Sequence, residues 1–169
     1  MGWFSKLLGR TPDDTAMLLY DRVIALARAP HWYESGGVPD TLDGRFDMVA
    51  AVLSLVLLRL EDVPEAGPAS ARLTERFVTD MDGQLRESGV GDIGVGKHIG
   101  KMMGMLGGRL GAYRDGLAAG DLHPALARNL YRSGLPDAAA IAHTEAALFA
   151  LRDALAERPT ESVIAGDIA

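Results

Sequence analysis

The chain has 169 residues, of which 48% are hydrophobic and 24% charged, with a formal net charge of −6 and no cysteine. These values are typical of one globular domain that buries a core without disulfides or a structural metal. The lack of cysteine excludes a thiol nucleophile and a cysteine-based zinc site, and the acidic charge argues against a DNA partner.

The first ten residues, MGWFSKLLGR, form a small amphipathic segment. Its large apolar residues would share one face of a helix: Trp3, Phe4, Leu7 and Leu8. We expect either weak contact with a membrane surface or a helix that folds back onto the core. The longest apolar run, Met48 to Leu58, is too short for a membrane span, which needs about 20 residues.

The rest of the chain shows the 3.6-residue period of helices and no alternation typical of strands. Six helices are predicted, at about 11–29, 41–61, 68–87, 95–118, 123–132 and 137–157. The second should be central because both its faces are apolar. We therefore predict an all-α fold, a single compact bundle of about six helices over residues 11–158. The segment HWYESGGVPDT should be a loop, and residues 159–169 a loose tail.

The segment GDIGVGKHIG resembles a phosphate-binding loop, with Gly91, Gly96 and Lys97 at the required spacing. His98 stands where the loop needs a serine or threonine, and the preceding segment is helical instead of a strand. We therefore expect no nucleotide binding.

Glycine recurs at every fourth position of the fourth predicted helix: Gly96, Gly100, Gly104 and Gly108. Each costs about 1 kcal/mol of helix propensity relative to alanine. Two explanations remain open: tight packing within the chain, or a shallow groove for a partner's helix. The flexible side chains of Met102, Met103 and Met105 would suit an adaptable apolar surface.

Catalytic patterns are sparse, because the four histidines lack metal-ligand spacing and the serines lack a nucleophile-elbow context. Carboxylates cluster around Arg45 and around Arg86. Such clusters could perform acid–base chemistry or bind a divalent metal, but helix caps and ion pairs are the favoured interpretation. We expect no catalytic residue, no metal and no cofactor.

Three segments, VPDTLDGRFDM, DMDGQLRESGVGDIGVGKHIGKM and GRLGAYRDGL, resemble the ubiquinol–cytochrome c chaperone family. The resemblance runs from about 19 to 117, and the segment after Gly120 has no recognisable counterpart. Members of this family are assembly factors of respiratory complex III and are not enzymes. The resemblance implies that this chain binds newly made cytochrome b or its nascent chain, with the ribosome or a small co-chaperone as further partners.

The resemblance and the methionines supply the candidate partner-contact residues. They are Asp40, Asp43, Gly44, Arg45, Phe46, Asp80, Asp82, Arg86, Glu87, Gly89, Gly91, Asp92, Lys97, Met102, Met105, Gly108, Arg109 and Tyr113. Charge reversal of Arg45 or Arg109 should then weaken client capture and leave the fold intact.

The composition indicates a bacterial protein, which we expect in the cytoplasm, in peripheral contact with the inner membrane. The alternative is a carrier or sensor of a lipid, quinone or haem. A pocket of several hundred Å³ lined by apolar side chains would favour the carrier, and an open groove would favour the chaperone.

Overall fold

The computed structural model describes residues 11–87 and 95–169, with the side chains of residues 85 and 95–99 left aside. Its helices are α1 (Pro12–Ala27), α2 (Pro30–Glu34), α3 (Leu42–Glu61), α4 (Gly67–Glu87), α5 (Val95–Ala119), α6 (His123–Asn129), α7 (Ala138–Glu157) and α8 (Thr160–Ile164), with a 3₁₀ turn at Pro64–Ala66. The described part contains no strand, and the prediction of an all-α fold is confirmed. The predicted amphipathic segment 1–10 lies outside the described residues.

The starts of three helices follow from polar side chains that cap them. Thr11 and Asp14 form a reciprocal capping box at α1, where each side chain accepts a hydrogen bond from the other residue's backbone N–H. Thr41 caps α3 and Asp137 caps α7, each by accepting from the backbone N–H three residues later. These caps fix helix starts close to the predicted ones.

Helix α3 is the centre of the bundle, as its apolar pattern predicts. It packs against α1, α4, α5 and α7, and nearly all its residues from Asp47 to Leu57 are buried. The buried hydroxyl of Ser54 donates to the carbonyl of Ala50 at 2.6 Å, so this polar group is satisfied within the helix. No helix in the described ranges is both long and apolar enough to cross a membrane.

The predicted loop after α1 is wrong at its start, because residues 30–34 form the short helix α2. Trp32 is buried there, and its indole N–H donates to the carbonyl of Leu26 at 2.7 Å. This buried contact holds the chain against the end of α1. It stabilises a short helix even though Gly36 and Gly37, which favour a loop, follow one residue after it.

The prediction of a loose tail is also wrong. Helix α8 lies in this segment, and Val163 and Ile168 are buried in the core. The Arg59 guanidinium on α3 donates to the carbonyls of Leu155 at 2.9 Å and Arg158 at 2.8 Å. The carbonyl of Leu155 also accepts from the backbone N–H of Arg158 at 3.3 Å, so Arg59 adds a second donor there. Together the two Arg59 bonds tie the end of α7 and the start of the tail to the central helix.

Five glycines of α5 have no neighbour in the described part of the chain on the side of their missing Cβ. A Cβ atom built on any of them would meet no atom of a described residue within 4 Å: Gly100, Gly104, Gly107, Gly108 and Gly111. Gly116, near the end of the same helix, is buried, and a Cβ atom there would lie 2.9 Å from the carbonyl oxygen of Asp121. Tight packing against the described part of the chain therefore does not explain the five glycines. Gly44 on α3 is the opposite case, since a Cβ there would lie 1.9 Å from the carbonyl oxygen of Pro39.

Candidate partner-binding surface

A cleft of about 450 Å³ lies between α1, α3 and α4. It is lined by Tyr20, Asp21, Ile24, Arg28, Leu42, Arg45, Phe46, Val49, Asp80, Met81 and Gln84. Arg45 and Phe46 come from the first of the three sequence segments, and Asp80 comes from the second. The fold thus brings residues about 35 positions apart in the chain to one surface.

The floor of the cleft is apolar. Val49 and Met81 are buried there, and the ring of Phe46 lies 5.7 Å from that of Phe77. Leu42 at the rim keeps 49% of its surface exposed. An apolar floor beside an exposed leucine can accept an apolar side chain of a partner.

The walls of the cleft are charged. Arg45 pairs with Asp40 through Nε–Oδ1 at 2.7 Å, and this hydrogen bond lowers the pKa of the Asp40 carboxyl. Across the cleft, the hydroxyl of Tyr20 donates to Asp80 at 2.6 Å. Burial and this hydrogen bond raise the pKa of Tyr20, which stays a neutral donor and fixes the carboxylate of Asp80 against α1.

Beneath the cleft lies an ion triad in which Asp47 and Arg109 are buried and Arg132 is exposed. The carboxylate of Asp47 accepts from Arg109 Nη2 at 2.8 Å and from Arg132 Nε at 2.7 Å. Burial raises the pKa of Asp47, and the two guanidinium groups act in the opposite direction. Arg109 also lies over the ring of Phe46, 5.4 Å from its centroid, so the triad supports the floor of the cleft.

The triad was missed as a site by sequence reasoning. Asp47 lies in the first segment but was not a candidate contact, although its position directly before a wholly apolar run is a signal of burial. Arg132 lies in a segment without a recognisable motif, and no sequence signal connects it with Asp47.

Comparisons with known proteins agree with the resemblance. The sequence model described as ubiquinol-cytochrome C chaperone matches residues 34–169. The chain belongs to this family. A solved structure, the crystal structure of the Cbp3 homolog from Brucella abortus, aligns with a TM-score of 0.82 and 34% sequence identity, covering 92% of this chain and 87% of that chain. No curated protein matches.

The family model matches a different range of residues from the resemblance described above, which runs from about 19 to 117. It begins at residue 34 and continues through α6, α7 and α8 to the end of the chain. The segment after Gly120, which has no recognisable motif, is therefore part of the family's domain. Its contribution of Arg132 to the ion triad gives a physical reason for that membership.

Within this chaperone-family fold, four predicted contact residues lie inside the protein. Met102, Arg109 and Tyr113 are 3%, 7% and 0% exposed, and Gly44 is buried against Pro39. These four support the fold and offer no surface in this conformation. Charge reversal of Arg109 would place a second carboxylate beside buried Asp47, so the expectation that it spares the fold does not hold.

The remaining predicted residues are more accessible. Asp43, Glu87 and Gly108 are exposed and Met105 is half-buried. Asp82 and Arg86 form an ion pair of 2.9 Å one helical turn apart. With Asp40–Arg45, this pair bears out the interpretation as ion pairs for one carboxylate of each cluster. Asp80 instead bonds to Tyr20 and Gln84. Outside the described residues lie Gly89, Gly91, Asp92 and the side chain of Lys97.

Two further observations concern the alternative functions, namely metal binding and the carriage of a lipid, quinone or haem. Among the described residues, no group of three or more histidine, aspartate or glutamate side chains could hold a metal. His31 and His143 do meet, with Nδ1 and Nε2 3.0 Å apart, but as a hydrogen-bonded pair between α2 and α7. The cleft also has four charged residues in its lining, and it is not the apolar-lined pocket that the carrier alternative requires.

Proposed function

We propose that this member of the ubiquinol–cytochrome c chaperone family binds newly made cytochrome b during assembly of respiratory complex III, and that it does so without catalysis. Family membership supports the role in assembly. The observation that carries the binding proposal is the cleft between α1, α3 and α4, because residues of two family segments meet there on an apolar floor beside the exposed side chain of Leu42.

The physical role we propose is transient shielding. Cytochrome b is a hydrophobic multi-helix membrane protein, and its segments expose apolar side chains until haem and partner subunits are added. A cleft with an apolar floor can accept an anchoring side chain from such a segment, and its charged walls can orient the segment around that anchor. A contact of this size is small enough to be released when the client matures.

We further propose that the protein works at the cytoplasmic face of a bacterial inner membrane, where the client is made. Contact with the ribosome or with a small co-chaperone belongs to this proposal. The apolar residues of segment 1–10 would add weak contact with the membrane surface, since so short a segment binds weakly alone.

The test is site-specific photo-crosslinking in cells that assemble complex III. A probe replaces Leu42 at the rim of the cleft, and a matched control probe replaces Leu135, which is 54% exposed and does not line the cleft. We expect capture of cytochrome b at position 42 and not at 135. Capture of lipid alone at position 42, or equal capture at both positions, would contradict the proposal.

A further inference from the structure

The charged residues of the cleft are separated by sign along its length. We infer that the cleft takes a partner segment of dipolar charge, with an acidic group beside Arg28 and Arg45, an apolar side chain over Phe46, and a basic group beside Asp21 and Asp80. This inference rests on the proposed function, because the partner segment is taken to be part of the proposed client, cytochrome b.

The two ends are set apart by helix α1. Asp21 and Arg28 are seven residues apart, which places them on one side of the helix about 10 Å from each other along its axis. Asp80 is held at the first end by the hydroxyl of Tyr20, the residue before Asp21. The cleft therefore has an acidic end near the middle of α1.

The basic end lies where α1 ends and α3 begins. Arg28 follows the last residue of α1, Arg45 lies in the first turn of α3, and both line the cleft. On α1, the apolar side chain of Ile24 lies between Asp21 and Arg28 and also lines the cleft. A segment in the cleft would thus meet one sign of charge before the apolar floor and the other sign after it.

These charges are only partly compensated within the chain. Arg28 and Asp21 are exposed, and neither forms an ion pair with any residue that the structure describes. The carboxylate of Asp80 is bonded to neutral groups of Tyr20 and Gln84, and Arg45 has Asp40 as its partner. The acidic end thus carries two negative charges without a described cation, and the basic end carries one positive charge in excess.

Electrostatic complementarity then selects the partner. A segment with charge of one sign throughout gains attraction at one end of the cleft and meets repulsion at the other, whereas a dipolar segment gains at both. If the bound segment is a helix, its acidic and basic residues should be about seven positions apart, with the apolar anchor between them, because that spacing matches the 10 Å between the two ends.

The experiment uses the full chain and three fluorescent helical peptides of about 18 residues, each with one central phenylalanine. The first carries one glutamate and one lysine seven positions apart, the second two glutamates and the third two lysines. By fluorescence anisotropy at low salt, we expect the dipolar peptide to bind about fivefold to tenfold more tightly than the other two, the effect of gaining one exposed ion pair and losing one like-charge contact.

Charge reversal within the cleft should switch this preference. Arg28→Glu makes both ends acidic and should favour the two-lysine peptide. Asp21→Lys leaves the acidic end neutral, because the new lysine offsets Asp80, so the dipolar peptide should lose its advantage over the two-glutamate peptide. Arg22→Glu is the matched control, because Arg22 is exposed on the same helix and does not line the cleft. Equal binding of all three peptides, or a preference that none of the cleft substitutions moves, would overturn the inference.

Three further outcomes separate this inference from its alternatives. Sedimentation of the free protein tests a second copy as the occupant, and a dimer that Arg28→Glu dissociates would overturn the inference. Crosslinking of cytochrome b at Leu42 combined with indifference to peptide charge would overturn the dipolar pattern and leave the proposed function standing. Selective binding of the dipolar peptide without capture of cytochrome b would support the charge pattern and remove the proposed client.

Discussion

Replacing two solvent-facing glycines of α5 with alanine should stabilise this protein. Gly104 and Gly108 lie inside a helix of 25 residues, and a Cβ atom at either position would meet no atom of the described residues within 4 Å. Neither has a positive φ, so alanine can adopt the same backbone. Because the new methyl group contacts nothing, the effect should come from backbone entropy and helix propensity alone.

The magnitude follows from that reasoning. Each glycine in a helix interior costs about 0.8–1 kcal/mol relative to alanine, so Gly104→Ala with Gly108→Ala should raise the free energy of unfolding by about 1.5–2 kcal/mol. For a domain of this size each kcal/mol raises Tm by about 2–4 °C. Urea unfolding followed by circular dichroism at 222 nm measures the first quantity, and a thermal scan measures the second.

A control within the same chain sharpens the test. Gly44→Ala should destabilise by about 1–3 kcal/mol, because its Cβ would lie 1.9 Å from a backbone oxygen of Pro39 that cannot move without shifting the start of α3. Stabilisation at Gly44, or destabilisation at Gly104 and Gly108, would refute the assignment of which glycines pack and which do not. Client capture by the stabilised variant also tests the hypothesis that the glycines of α5 form a shallow groove for a partner's helix. Gly83→Ala on α4 is the matched control, because a Cβ atom there also meets no described residue within 4 Å.

Asp47→Ala should destabilise by about 3–5 kcal/mol in urea unfolding because it leaves two guanidinium groups without their buried partner, whereas Arg132→Ala should cost about 1 kcal/mol or less, since that side chain is 44% exposed. An equal cost for both would contradict the assignment of Asp47 as the centre of the triad. Arg59→Met should free the end of α7 and speed cleavage after Glu161 by a glutamate-specific protease, and unchanged cleavage would show that the tail is held by its apolar residues alone. Burial and the neighbouring His143 lower the pKa of His31 in the folded protein, so stability should be highest above its unfolded pKa of about 6.5 and should fall as pH drops through the folded pKa. His143→Ala should make that fall shallower in urea midpoints measured from pH 8 to pH 5, and a steeper fall would contradict the sign of the shift.

The long helices could be predicted from the sequence because each repeats its apolar period over several turns and has a polar cap such as Thr11 or Asp137. Helices α2 and α8 could not, since five residues give too little period to recognise. Tertiary contacts hold these segments, such as the bond from the Trp32 indole to the carbonyl of Leu26 on α1 and the bond from the Arg59 guanidinium to the carbonyl of Arg158, 99 residues later. Neither contact leaves a periodic signal in the sequence.

The face of α5 that meets the bundle was predicted only in part. Met102, Leu106 and Tyr113 are buried at helical spacing, whereas Met103 is 46% exposed, so the three methionines named from the sequence do not share one face. The four-residue period of the glycines correctly places Gly100, Gly104 and Gly108 on one side of the helix. It carries no information on whether that side faces the core, because a residue without a side chain neither gains nor loses by burial in the way that sequence patterns detect.

The family segments combine two physical roles that a single sequence cannot separate. Gly44 and Arg109 hold the fold, whereas Arg45 and Asp80 line the cleft, although all four lie in motifs of the same kind. Phe46 belongs to both groups, because its ring forms the cleft floor and also contacts the Arg109 guanidinium of the ion triad. Loss of client capture in a triad variant is therefore interpretable only beside its unfolding curve, whereas loss of capture at exposed Arg28 or Leu42 with unchanged stability would assign the binding energy to the cleft itself.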